Sequence, residues 1–269
     1  MLSAIVCFFI ATPLCYVRRI EKFAFTYLIA DILILFTVVV IIVYSSIDAR
    51  DNGFAKEVQV FNSDTWLTFV GSAVFSFEGI GVVIPILEVT KEPKKFPMIL
   101  VLVLLTVLVL YTGFGEYNYF VYGTSLSDPL ITSILGKDAF VWVIKILFSF
   151  NVIFTYTLMI FPANVIMEGY IFRGMPKSKK RQWLKNLFRT VVVIFTLVVC
   201  ILLKNKLDKF LSLIGTLTST PVSFTIPCIF HLVLCKPSTF HKVIDWIIIG
   251  ISVLIFFICS GFNIWTWND

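Results

Sequence analysis

Phe75-Ser-Phe-Glu-Gly-Ile-Gly-Val-Val-Ile-Pro85 is the stretch that decides the reading of this chain. It lies inside an apolar run, Thr65–Thr90, long enough to cross a membrane. It nevertheless carries a carboxylate, two glycines one residue apart and a proline. A helix in lipid must satisfy every backbone hydrogen bond internally, and Glu78-Gly79-Ile80-Gly81 weakens that ladder in mid-span. Irregular backbone at membrane depth is tolerated where it lines a polar cavity or is buried in protein. The segment therefore predicts a broken helix facing a solute pathway, which a passive anchor does not need.

The rest of the sequence supports a membrane setting. Of the 269 residues, 59% are hydrophobic and 14% charged, and the mean hydropathy is +0.97. Soluble domains carry roughly 25% charged residues. A crossing takes about 20 apolar residues. The chain offers one partial span, Met1–Tyr16, and seven fuller ones: Phe23–Ser46, Thr65–Thr90, Pro97–Tyr122, Ala139–Phe161, Phe188–Leu203, Phe210–Leu234 and Val243–Trp265. The run from Phe188 is short, so its helix is expected either to reach into the basic flank before it or to tilt little. The first segment lacks a basic start and a small-residue cleavage site, so it reads as a membrane segment and not as a signal peptide. The fold class expected is all-α, a polytopic transmembrane helical bundle forming one domain over residues 1–269.

Charge gives the orientation. Arg18, Arg19, Lys22, Lys91, Lys94, Lys95, Lys236, Lys242 and the group from Arg173 to Arg189 fall in alternate connections. These hold most of the 22 basic residues, which makes that side cytoplasmic. The net charge of +6 follows from this bias and gives no reason to expect nucleic acid. The Lys204–Lys209 loop is the one dissent. The six cysteines lie in or beside apolar runs with no CxxC or Cys/His metal spacing, and read as packing residues. No catalytic motif occurs, so neither an enzyme nor a bound cofactor is expected.

Polar groups within spans are the candidates for function, because an ionisable side chain in lipid costs about 2.5 kcal/mol or more. Glu78 lies beside the break. There, free N–H groups of the second half-helix suit a carboxylate, and free C=O groups of the first suit an ammonium or cation. Glu78 either contacts substrate or a proton, or holds the break by bonding a neighbouring helix. Asp31 lies about 12 Å into its span at roughly 1.5 Å per residue and has no basic partner one turn away. It is a second candidate proton carrier. Asn151 and Thr155, at i and i+4, share a helix face and read either as ligand contacts or as interhelical hydrogen bonds. Glu88, Glu116, Glu168 and Asp245 read as boundary residues. Thr216-Leu-Thr-Ser-Thr-Pro221, after Gly215, suggests a bending or closely packed helix.

Gly71–Pro97, GSAVFSFEGIGVVIPILEVTKEPKKFP, resembles the sixth-helix motif of the amino acid/auxin permease family, in its proton-coupled and vacuolar branch. Phe114–Gly123 resembles that family's FGxxGYxxFG, and Phe154–Glu168 its TYPLQxxPxxxxxE. Asn186–Thr190 and Phe210–Leu232 follow in the family's order. The resemblance implies a leucine-transporter-like inverted-repeat fold of which this chain represents helices five to eleven, with the N-terminal helices, including the second broken one, missing. It implies secondary active amino-acid transport by alternating access. It places Ser76, Phe77, Glu78, Gly79, Ile80 and Gly81, with Asn151 and Thr155, as the half-site present. The implied partners are a small neutral amino acid, a proton or else sodium, membrane lipid, and a second polypeptide that would complete the helices. Vacuolar, lysosomal or other endomembranes are favoured over the plasma membrane. The alternative is a truncated or degenerate non-transporting subunit with a structural role. Asp31, Thr157, Asn118 and Val89 stand where many members carry Asn, Pro, Gly and Asn.

Overall fold

In the computed structural model the described residues are 2–17, 24–126, 131, 139–203, 205–235 and 237–267. Arg18, Arg19 and Lys22 of the first basic loop, with Lys137, Lys204 and Lys236, lie outside them. The described regular structure is helical: α1 (Leu2–Cys15), α2 (Ala24–Asn52), α3 (Trp66–Ser76), α4 (Ile80–Val89), α5 (Phe96–Tyr122), α6 (Ala139–Ile171), α7 (Lys179–Leu203), α8 (Leu207–Cys235) and α9 (Thr239–Trp265). Six helical stretches, those of α2 and α5 to α9, are long and apolar enough to cross a membrane. The Thr65–Thr90 run divides into the short α3 and α4, whose residues 66–89 together rise about 36 Å at roughly 1.5 Å per residue, one crossing. Trp142, Trp246 and Trp265 near helix ends are exposed, as an interfacial belt requires.

The chain forms two compact units, residues 1–54 with 125–204, and 55–124 with 205–269. In the first, α6 packs on α1 and α2, and α1 also packs on α7. Both α6 and α7 run farther on the basic side than their apolar cores predict. α7 begins at Lys179, where the Ser178 hydroxyl accepts the Arg181 N–H at 3.2 Å and caps the first turn. α6 continues through Pro162 to Ile171. The extension brings Glu168, 3% exposed, against Arg189, 1% exposed. Arg189 Nε donates to Glu168 at 2.5 Å and Lys185 Nζ donates to it at 2.8 Å. Arg189 Nη1 also donates to the carbonyls of Cys15 and Val17, at 2.7 and 3.2 Å, satisfying the free end of α1. Glu168 is thus no boundary residue. It is half of a buried ion pair that ties α1, α6 and α7 together.

In the second unit α3 lies against α8 and α9. The closest approach is glycine on glycine. A Cβ on Gly215 would sit 1.9 Å from the Gly71 carbonyl oxygen, and one on Gly71 would sit 2.5 Å from the Ser212 carbonyl oxygen. Around this crossing runs a buried polar seam. Thr68 donates to Asn263 Oδ1 at 3.0 Å, Asn263 donates to the Ser212 hydroxyl at 2.8 Å, and Ser260 donates to Thr216 at 2.9 Å. Small residues let the backbones meet, and the hydroxyls and the amide bond across the contact. α8 widens to π-helical turns over Gly215–Ser219, Pro221–Thr225 and His231–Cys235. Pro221 has no N–H and crowds the preceding turn, and the wider register relieves both. Both readings of the Thr216–Pro221 run therefore hold, since the helix is distorted there and also closely packed. After α5 the chain turns at Gly123, φ 56°, where a side chain would meet Ala55 and Glu57.

Lys206 and Lys209 explain the dissenting loop. Their ammonium groups donate to the carbonyls of Trp267 and Thr266, at the C-terminal end of α9. Cations there complement the helix dipole, so these charges act as caps on the side opposite the basic loops.

Gly215→Ala puts a methyl into backbone and is expected to cost about 1–3 kcal/mol of overpacking. A clear fall in the thermal unfolding midpoint in detergent tests this. Gly113→Ala and Gly250→Ala, where nothing lies within 4 Å, leave that midpoint within a degree or about ±0.5 kcal/mol.

Candidate functional site

The break falls at Phe77–Gly79. α3 ends at Ser76, whose hydroxyl turns back to the Ser72 carbonyl at 2.9 Å and competes with continued helix. Phe77 at φ −96°, ψ 3° closes its last turn by donating to the Ala73 carbonyl. The Glu78 N–H reaches the Phe75 carbonyl at 3.2 Å, a tightened turn. Gly79, φ −164° and ψ 8°, leaves the helical region, and α4 starts at Ile80. Gly79 has no side chain to cap the first N–H groups of α4, which have no intrahelical acceptor. The polar ends of two half-helices therefore meet at these three residues.

The backbone at the break is open. A Cβ built on Gly79 or Gly81 has nothing within 4 Å, so a small molecule can approach the backbone directly. Ser76, Phe77, Glu78, Gly79 and Gly81 are exposed and Ile80 is partly so. The Glu78 carboxylate makes no ion pair or hydrogen bond among the described residues. Phe77 instead places its ring 5.8 Å from that of Tyr111 on α5. The two half-helices are supported unequally. α3 is fixed by the Gly71–Gly215 crossing and the polar seam, whereas contacts of α4 among the described residues are sparse.

The other candidates lie in the first unit. Asn151 is buried on α6, and the Thr155 hydroxyl points at its Oδ1 at 3.5 Å, so the expected shared face exists. Two residues on that helix have structural partners. Tyr156 bonds Thr196 of α7 at 2.7 Å, and Thr157 donates to the Ile153 carbonyl at 3.0 Å. Asp31 is exposed on α2 and makes no hydrogen bond or ion pair among the described residues. Asp245, expected at a boundary, is buried and its Oδ2 lies 2.7 Å from His231 Nδ1. Thr68, Ser212, Ser260 and Asn263 went unread in the sequence. Their only signal was small polar residues one or two turns apart in apolar segments.

Comparison with known proteins gives the class. The chain belongs to the transmembrane amino acid transporter protein family, whose model matches residues 1–264. By its description this is a family of transporters and not of enzymes. Among its relatives, vacuolar amino acid transporter 3 of Saccharomyces cerevisiae is 32% identical over 97% of this chain and 39% of its own length. Vacuolar amino acid transporter 3 of Schizosaccharomyces pombe is 29% identical over 88% of this chain and 36% of its own. Amino acid transporter AVT3B of Arabidopsis thaliana is 34% identical over 62% of this chain and 38% of its own. The chain thus spans well under half the length of these relatives. No solved structure matches it significantly.

Arg189→Ala leaves Glu168 with Lys185 alone and the Cys15 and Val17 carbonyls without their donor, and is expected to cost about 3 kcal/mol. The readout is the thermal unfolding midpoint together with monodisperse yield in detergent. The double variant Glu168→Gln plus Arg189→Met recovers part of that loss, since it removes a buried charge left with one partner instead of two.

Proposed function

We propose that this chain acts in secondary active transport of amino acids across an endomembrane, and that the break at Phe77–Gly79 is the substrate-facing half of its site. The observation that carries this is the meeting of two uncapped half-helix ends beside open glycines and an unpartnered carboxylate. An α-amino acid is a zwitterion. Its carboxylate fits the N–H groups of Ile80 and Gly81, and its ammonium the carbonyls ending α3. Ser76, Phe77 and Glu78 border that position. A small neutral side chain suits the space at Gly79 and Gly81. The vacuolar names of the fungal relatives support the endomembrane assignment.

Coupling to a proton runs through Glu78 or Asp31, neither of which has a partner among the described residues, with sodium as the competing ion. Residues 1–269 act as one transporter domain in a leucine-transporter-like inverted-repeat arrangement, alternating access by movement of α4 about the break. Helices from a second polypeptide, or from a longer form of the same one, would complete the site against membrane lipid. The competing reading is a non-transporting subunit retained for its packing surfaces.

Uptake by proteoliposomes tests this. Reconstituted chain is expected to accumulate a radiolabelled small neutral amino acid severalfold more under an inward proton gradient than under a sodium gradient. Gly79→Leu plus Gly81→Leu fills the approach to the backbone and should cut uptake at least about tenfold. Uptake that survives this double change removes the break from the mechanism. Glu78→Gln or Asp31→Asn should abolish the gradient dependence. A folded wild-type chain with no uptake at all favours the structural subunit.

A further inference from the structure

At the start of α7, in the first unit, a cleft of about 190 Å³ is lined by Lys177, Ser178, Arg181, Gln182 and Lys185. Three of these five residues are cations and none is acidic. Lys185 shares its ammonium with Glu168 at 2.8 Å, yet its side chain stays 20% exposed and open to a second acceptor. Arg181 Nε is buried and has no hydrogen-bond partner among the described residues. A buried donor on a charged group is costly to leave unpaired, so this nitrogen calls for an acceptor from outside. The backbone points the same way. The Ser178 carbonyl accepts the Gln182 N–H and its hydroxyl the Arg181 N–H, both at 3.2 Å. The N–H groups of Lys179 and Lys180 precede that first helical bond and have no intrahelical acceptor. Cations, free N–H groups and the positive end of a 25-residue helix converge on an anion.

The opposite face of the same helix says which anion. Trp183, Leu187, Val191, Ile194 and Val198 follow at steps of three and four residues and are all exposed. They form one apolar stripe that runs from the membrane-spanning part of α7 into its basic start. Trp183, 76% exposed, lies two residues from Arg181, a rise of about 3 Å at roughly 1.5 Å per residue. An exposed tryptophan at the end of such a stripe sits at the membrane–water interface, which puts the cleft at the level of the lipid headgroups. We infer that the cleft binds an anionic phospholipid whose headgroup ends in a phosphomonoester, with the acyl chains along the α7 stripe. The phosphate oxygens accept from Arg181, from the ammonium groups of Lys177 and Lys185, and from the free N–H groups of the first turn. A phosphomonoester brings about −1.5 to −2 charge and three acceptor oxygens, which matches donors converging from several directions. A phosphodiester headgroup offers less charge and fewer free oxygens, and a soluble phosphate makes no use of the stripe. The site stands whether or not the chain transports amino acids.

Equilibrium binding of radiolabelled short-chain phosphatidic acid to the full chain in mild detergent tests it. Wild type is expected to bind one probe per chain saturably, with severalfold preference over phosphatidylglycerol and no comparable binding of phosphatidylcholine. Lys177→Gln plus Arg181→Gln should weaken binding at least about tenfold, the scale of lost charge-assisted contacts. Lys179→Gln plus Lys180→Gln removes the same charge from exposed side chains outside the cleft, and should weaken binding less than about threefold, since exposed charges are screened. If Arg181→Gln lowers the thermal unfolding midpoint, the exposed Lys177→Gln alone replaces it, with a severalfold loss expected. Glycerol 3-phosphate, the same headgroup without acyl chains, should compete only at far higher concentration. Equal losses in the two double variants overturn the site, because diffuse attraction to basic residues then explains both. Displacement by glycerol 3-phosphate at equal concentration overturns the lipid and assigns the cleft to a soluble phosphate. A wild type that binds phosphatidic acid no better than phosphatidylcholine overturns the proposal outright.

Discussion

The interior of a bilayer offers no water to a backbone amide, and the rest of this structure depends on that constraint. A single interruption at Phe77–Gly79 exposes the polar ends of two half-helices where lipid could not satisfy them. Such an interruption needs a rigid support on at least one side. The second unit supplies it by bringing α3 into near backbone contact with α8 at Gly71 and Gly215. At that distance Thr68, Ser212, Thr216, Ser260 and Asn263 satisfy one another. Among the described residues the half-helix beyond the break has no comparable seam.

The first unit solves a different problem with charge. Burying Glu168 and Arg189 costs several kcal/mol of desolvation per ion, which their attraction offsets only with good geometry and further hydrogen bonds. Those bonds are present. Lys185 takes the second carboxylate oxygen, and Arg189 reaches the two carbonyls at the end of α1. An arginine suits the place because its planar fork bonds a carboxylate and the carbonyls at once, in fixed directions. The gain lies in fixing where three helices meet on the basic side more than in net stability.

Much of the fold was legible in the sequence. Apolar run lengths located the spans, since crossing a bilayer takes a set number of residues. Glycine spacing located the break, because a missing Cβ is a local property that needs no neighbour. The short apolar run from Phe188 pointed to the basic extension of α7, but that of α6 through Glu168 was not legible. Glu168, Lys185 and Arg189 look like ordinary boundary charges when read singly, and their mutual pairing appears only in the fold. Lys206 and Lys209 similarly read as a breach of the charge rule until the end of α9 appears beside them.

The sequence by itself therefore determined that this is a helical membrane protein with an interrupted crossing. These follow from hydrophobicity, backbone freedom and charge, which each residue carries alone. The tertiary structure decided which polar groups are spent and which are free. Asn263, Thr68 and Glu168 are consumed by partners far away in the chain. Glu78 has none among the described residues. Whether a polar group in a membrane is a brace or a binding contact depends on what lies within about 3 Å of it, and sequence spacing does not encode that distance.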